Sequence, residues 1–249
     1  MLTGKNFGDF FYGYVNTGLI PIEGSCCADT LRIWSKADGS YRDVDLVTPL
    51  EAAWPSSSFD YATHTFEVAE LDGDVVAFCM AQFQEEELGG AKVDVVVAVS
   101  MSSGQLVPTK AGDPFFSLWE QLGTISQDPS ESVYKVQFAP WDGSGNQEEW
   151  HGNGVSVFTT SDGTPVLAVT HRNLNEALLL RDPWRSGETG GEILQRFGLV
   201  ANRAEPTVTH VFGLNSSDSG ADESWDGVHN VRYSVSPIDG RESVTIFVD

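Results

Sequence analysis

The chain is poor in basic residues. Its 249 residues include 14 Lys and Arg against 36 Asp and Glu, which gives a formal net charge of −22. Because binding to nucleic-acid phosphates or to anionic lipid surfaces needs clustered Lys and Arg, this deficit excludes nucleic acid and anionic membranes as partners. The acidic residues are spread along the sequence, so they predict a solvated acidic surface and not a charged tail.

Cysteine and long apolar runs are also scarce. Three Cys cannot all pair, so a disulfide framework is not predicted, although a bridge from Cys26 or Cys27 to another segment stays open. Cys79, which lies inside an apolar run, is interpreted as a small buried hydrophobic residue. No apolar run approaches the roughly 18 residues of a membrane-spanning helix. The first residues lack a basic segment followed by an apolar one, so no signal peptide is predicted. We therefore expect a soluble protein, and its compartment and oligomeric state stay open.

Helical periodicity is rare, whereas strand and turn signals are frequent. The best helical pattern covers only residues 115–122, which we interpret as a single helix between strands. Asp-Gly, a dipeptide typical of tight hairpins, occurs six times. Short β-branched and aromatic runs flank several of these dipeptides, as in 65–71 before 75–83. The sequence therefore predicts an all-β chain that forms a sandwich, a barrel or a propeller.

Three of the five His share one sequence context. His64, His151 and His229 each open a strand pattern that is followed by an Asp-Gly turn and an apolar strand, at intervals of 87 and 78 residues. Such a repeat favours a β-propeller, in which the first strand of each blade lines the central channel. We therefore expect the three His to meet at one end of that channel. The intervals exceed the usual 40–45 residues of a blade, so we predict enlarged blades, with 84–150 as inserted material.

Three convergent imidazoles are compatible with two kinds of chemistry. They can hold a catalytic metal ion, or they can act without metal as nucleophile, acid–base group and anion ligand. Arg172 bears on this choice because its permanent positive charge suits an oxyanion and opposes a cation in the same site. His210 lacks the repeat context and is interpreted as a structural residue.

The segment from His151 onward resembles the arylsulfotransferase family of six-bladed propellers. His151-Gly152-Asn153-Gly154-Val155 is similar to the family pattern His-x-Asn-x-Val. An Asp-Gly turn, an apolar strand and the segment Arg172-Asn173-Leu174-Asn175-Glu176 follow, where the family has Arg-x-x-(Asn/Ser)-Glu. The resemblance covers residues 60–249 and is most specific from 150 onward. It implies one incomplete propeller domain over 1–249, with divergent strands before residue 61.

The resemblance also implies a reaction and roles for eight residues. The reaction is transfer of a sulfuryl group from a phenolic sulfate ester to a phenol through a sulfohistidine, without a cofactor or metal. The catalytic residues are expected to be His229 as nucleophile with His64, His151 and Arg172. The substrate-binding residues are expected to be Asn153, Trp150, Trp225 and His171. The alternatives are a propeller that binds an anionic ligand or a protein partner without catalysis, and a His-metal hydrolase of the lactonase type.

Overall fold

The computed structural model describes residues 4–19, 28–55, 58–61, 63–85, 91–117, 152–171, 176–187, 193–198 and 228–248. Within these ranges the chain forms four antiparallel sheets, none of which closes into a barrel, and one short helix, α1 (Val47–Ala53). The prediction of an all-β chain is confirmed. The six-bladed propeller and the domain limits at residues 60 and 61 stay predictions.

The four sheets follow one another along the sequence. The first sheet has the order β1 (Gly4–Phe7), β2 (Phe10–Val15), β3 (Thr30–Ser35) and β4 (Tyr41–Asp45). In the second sheet β5 (Ser58–Tyr61) and β6 (Phe66–Leu71) pair with the same edge of β7 (Asp74–Glu85), followed by β8 (Ala91–Ser100) and β9 (Phe116–Ser117). The third sheet has the order β10 (Gly152–Thr159), β11 (Pro165–His171), β12 (Glu176–Arg181) and β13 (Ile193–Gly198). The fourth sheet is the hairpin of β14 (Val228–Val235) and β15 (Glu242–Val248).

Four of the six Asp-Gly dipeptides lie in hairpin turns, as expected. Asp72 and Gly73 both have positive φ, 51° and 84°, which is the geometry of a two-residue hairpin with the right twist. In the turn after β10, the hydroxyl of Thr160 and the N–H of Thr164 donate to Asp162 Oδ1 at 2.6 and 3.0 Å. These hydrogen bonds lower the pKa of Asp162 to about 2. Asp142 and Asp226 lie outside the described residues.

Two expectations about the stretch from residue 84 to residue 150 are wrong where the structure describes it. The stretch does not begin as an insertion, because β8 pairs along β7 from Val76↔Ser100 to Glu85↔Ala91 and extends the second sheet. Phe116 and Ser117 are not helical, because they pair with Val96 and Val95 of β8 as strand β9. Residues 118–122 of the predicted helix lie outside the described residues.

The second sheet is buried on both faces. Ala77, Cys79 and Ala81 of β7 belong to the core that the second sheet shares with the first sheet. Their neighbours Val76, Phe78 and Met80 belong to the core that it shares with the third sheet. Because successive side chains of a strand point to opposite faces, a strand packed on both sides must be apolar throughout.

Trp184 fills the space between the second and third sheets. Its ring packs edge-on against Phe78, with 5.3 Å between ring centroids. Its indole Nε1–H donates to the carbonyl oxygen of Val107 at 3.0 Å. The buried carboxylate of Asp182 accepts the Trp184 backbone N–H at 2.9 Å and forms an ion pair with Arg185. The turn after β12 is thereby fixed against the second sheet.

The third and fourth sheets pack through a smaller core. Phe158 of β10 stacks on Tyr233 of β14, with 4.7 Å between ring centroids. Ser156 Oγ donates to the carbonyl oxygen of Val231 at 2.8 Å. Glu242 accepts the backbone N–H of Ser161 at 2.7 Å. These contacts join β10 and the turn after it to the β14–β15 hairpin.

Asp29 ties a loop to the first sheet. Its buried carboxylate accepts the N–H groups of Thr17 and Leu19, each at 2.8 Å, and the Thr17 hydroxyl at 3.0 Å. Burial raises the pKa of Asp29, but these hydrogen bonds and one from Thr30 more than offset the effect of burial, so the pKa is lowered overall.

We predict that Asp29→Asn lowers the free energy of unfolding by about 1–3 kcal/mol at pH 7, because one acceptor of a buried network becomes a donor. The folded-state pKa of Asp29 lies below the unfolded value near 3.9. Its contribution is therefore complete above the unfolded value and is lost as pH falls through the folded value. Urea unfolding at stepwise lower pH checks this, with exposed Asp9→Asn as control. A difference that stays constant with pH contradicts it.

We predict that Cys79 does not react with thiol reagents while the protein is folded. Its side chain is fully buried, and burial raises the pKa of the thiol to about 12, so almost no reactive thiolate forms at neutral pH. A Cys26→Ser/Cys27→Ser variant isolates Cys79 for maleimide labelling followed by mass spectrometry. Labelling within minutes at pH 7 without denaturant contradicts the prediction, and labelling in urea is the positive control.

Candidate functional site

One strand in each of three neighbouring sheets begins at or just after a predicted His. In the second sheet β6 begins two residues after His64, in the third sheet β10 follows His151 directly, and His229 is the second residue of β14. Strand β10 contacts both β6 and β14. The three repeat units found in the sequence therefore correspond to three strands that lie side by side.

Strands β10 and β14 run in the same direction. Ser156 bonds to Val231, and Phe158 stacks on Tyr233, so equivalent contacts recur two residues further along both strands. Two residues before the Ser156–Val231 contact, the same register places His229 opposite Gly154, at the beginning of β10. The main chain of His229 and the residues next to His151 consequently lie at the same end of the two strands.

Met80 of β7 brings the beginnings of β6 and β10 together. The backbone N–H of His64 donates to the Met80 carbonyl oxygen at 2.8 Å. Gly152 packs so closely against the Met80 side chain that a Cβ on Gly152 would lie 2.7 Å from Sδ. The main chain of His64 and the residue after His151 thus contact the same residue.

Strands β6, β10 and β14 are each irregular at or just before their first residues, at a predicted site residue. His64 and Thr65 both face Met80, so two residues oppose one. Asn153 is the extra residue of a bulge between Gly152 and Gly154. His229 lies in the equivalent irregularity between Val228 and Asn230. Bulges turn a side chain away from the regular alternation of a strand and are frequent beside active sites.

The structure places some of the eight predicted site residues and not others. His64, Asn153, His171 and His229 have a described main chain, and His171 pairs with Gly152 across β10 and β11. The side chain of His64 is partly exposed. The other four lie outside the described residues, and these are His151, Arg172, Trp150 and Trp225.

Two buried polar residues at the same end of the strands were missed in the sequence. Asp94 of β8 and Gln82 of β7 are direct partners in the β7–β8 ladder, and their exposed fractions are 4% and 1%. Gln82 Nε2 donates to Asp94 Oδ1 at 3.0 Å. Gly152 N–H donates to Asp94 Oδ2 at 2.8 Å. Asp94 therefore joins the second sheet to the residue that follows His151.

The sequence does contain a signal for Asp94. It is the one charged residue in the strand segment 93–99, which is otherwise composed of Val and Ala. Charged residues are almost never fully buried unless they are paired. A carboxylate in a strand that is buried on both faces therefore marks a position where a hydrogen-bonding partner is required.

The Gln82 amide presents an acceptor at this position. Its Nε2 is used by Asp94, and its Oε1 has no hydrogen-bond partner within the described part of the chain. A buried amide oxygen gains free energy from any donor that reaches it. This end of the strands therefore combines a buried carboxylate with an amide acceptor.

Within the described ranges, no group of three or more His, Cys, Asp or Glu has the geometry to hold a metal ion. In the same ranges no helix has the length and apolar character needed to cross a membrane. Comparison of the chain with protein-family models, curated proteins and solved structures gave no match.

We predict that Gly152→Ala lowers the free energy of unfolding by about 1–3 kcal/mol, because the new methyl group overlaps the buried Met80 side chain. Met80→Ala alone leaves a cavity and costs about 2–5 kcal/mol. In the double variant the methyl group occupies part of that cavity. The combined loss should therefore be smaller than the sum of the single losses by at least about 0.5 kcal/mol in urea unfolding. Strict additivity contradicts the described contact.

Proposed function

We propose that the beginnings of β6, β10 and β14 form the active site of a sulfotransferase built on a six-bladed β-propeller. The observation that supports this most is the strand irregularity at His64, Asn153 and His229, at the beginning of three adjacent strands. These are three of the positions on which the sequence resembles arylsulfotransferases. The series of antiparallel sheets, each packed on the next, is compatible with successive blades.

In the proposed reaction His229 attacks the sulfur of an aryl sulfate. A new N–S bond forms, the S–O bond to the aryl group breaks, and the phenolate leaves with the electron pair. His64 or His151 protonates the leaving oxygen. A phenol acceptor, deprotonated by the same group, then attacks sulfur and releases His229. Splitting one displacement into two steps is the advantage of a covalent intermediate.

The remaining residues are assigned to binding. Arg172 holds the sulfuryl oxygens and offsets the negative charge of the transition state, a contribution of a few kcal/mol in comparable sites. Asn153 and His171 contact the same group. Trp150 and Trp225 stack on the aryl rings. Because the net charge of −22 repels an anionic donor, a local cation is required for binding, and Arg172 supplies it.

We predict that His229→Ala abolishes sulfuryl transfer from 4-nitrophenyl sulfate to a phenol, with kcat lowered by about 10³-fold or more, because the nucleophile is lost. Release of 4-nitrophenolate measures the reaction. His210→Ala, a His outside the repeat, is the matched control and should retain wild-type kcat.

Full activity of His229→Ala contradicts the assignment of the nucleophile. A wild-type protein that binds aryl sulfates in calorimetry but never turns them over supports the alternative of a non-catalytic anion-binding propeller. Stoichiometric zinc in the purified protein, with hydrolysis that is lost on chelation, supports the metal hydrolase instead.

A further inference from the structure

The apolar layer between the second and third sheets ends at Asp94. On β8, Ala98 and Val96 face the third sheet as part of the shared core, and Asp94 is the next residue on the same face. On β7, Phe78 and Met80 are followed in the same way by Gln82. Asp94 and Gln82 therefore replace an apolar pair at the end of the layer where β10 begins.

Gly152 is held from two sides at this point. Its N–H is bonded to Asp94 Oδ2 at 2.8 Å, and its Cα lies against the Met80 side chain. The lack of a Cβ allows this close approach. These two contacts fix Gly152, which directly follows His151 in the sequence.

The apolar layer itself does not require a carboxylate at this place. Burying a charged group is costly even when it is hydrogen-bonded, and replacing a buried polar pair by apolar side chains of similar volume is often neutral or stabilising. An apolar pair at positions 82 and 94 would continue the layer of Met80 and Val96. The hydrogen bond to Gly152 is what such a pair could not supply.

We propose that Asp94 is a positioning residue for His151: through the Gly152 N–H it fixes the main chain next to this His, and Gln82 holds the carboxylate in the required orientation. The inference rests on the proposed function for its catalytic consequence. The contact itself is independent of the reaction, so the two are tested separately.

The main test variant is Gln82→Met/Asp94→Leu, which replaces the pair by apolar side chains. We expect it to fold with a urea midpoint lower than that of the wild type, because the buried Gly152 N–H loses its acceptor. Misplacing a catalytic group by about 1 Å costs roughly 100-fold in rate. We expect kcat for 4-nitrophenyl sulfate to fall by about 10–100-fold, with KM changed less than about threefold. Asp94→Asn should restore most of the rate, because one side-chain oxygen still accepts the Gly152 N–H while Gln82 turns over to accept the new amide.

Asp182→Asn is the matched control. Asp182 is a buried carboxylate against the same interface of the second and third sheets, but it is bonded to Trp184 and Arg185 and not to Gly152. This variant should lower the urea midpoint while its kcat stays within about twofold of wild type. An equal loss of kcat in Asp182→Asn and in the double variant would show that Asp94 acts only through stability, and would overturn the inference.

A readout without substrate separates this inference from the proposed reaction. The imidazole C–H signals of the folded protein are recorded by NMR, and the signal of His151 is assigned by its loss in His151→Gln. The double variant should shift the signal of His151, and Asp182→Asn should not. An unchanged His151 signal in the double variant overturns the inference whatever the activity. If the wild type transfers no sulfuryl group, the proposed function fails, and the NMR comparison still decides the role of Asp94.

Discussion

The second sheet is buried on both faces, and this burial determines where its neighbouring sheets lie. Alternate side chains of β7 and β8 enter two separate cores, one shared with the first sheet and one with the third. The apolar surface of these two strands is removed from water only if sheets lie on both sides, and this burial is the main favourable term in folding. The sheets are therefore held side by side, and strands β6 and β10 are brought next to each other.

This packing explains how residues distant in sequence reach one place. His64 and Gly152 are far apart along the chain, yet both contact Met80. His64 bonds to its main chain within the second sheet, and Gly152 reaches its side chain because the third sheet packs on the second. The stacking of Phe158 on Tyr233 does the same for the beginnings of β10 and β14. The buried pair Asp94 and Gln82 lies where the apolar contacts between the second and third sheets end, next to the beginning of β10.

The sequence predicted the parts of the fold that depend on local signals. The hairpins around Asp72, Asp162 and Asp239 were found because an Asp-Gly turn and its flanking strands are adjacent in sequence. Strand β8 was not predicted as a member of the second sheet. Its pairing with β7 is stabilised by cores on both faces of the sheet, and these cores are formed by residues distant in sequence. Asp94 was missed for a similar reason, since its role depends on Gly152, which is 58 residues away. The His repeat pointed to strands β6, β10 and β14 but could not show the irregularities at their beginnings.

If His229 carries the sulfuryl group, the sulfohistidine can be isolated. Wild-type protein is mixed with 4-nitrophenyl sulfate without acceptor, quenched in alkali to preserve the N–S bond, digested and analysed by mass spectrometry. We expect the peptide containing His229 to gain the mass of one sulfuryl group and to lose it when a phenol is added before the quench. An unmodified His229 peptide, while 4-nitrophenolate is still released stoichiometrically, would contradict this expectation.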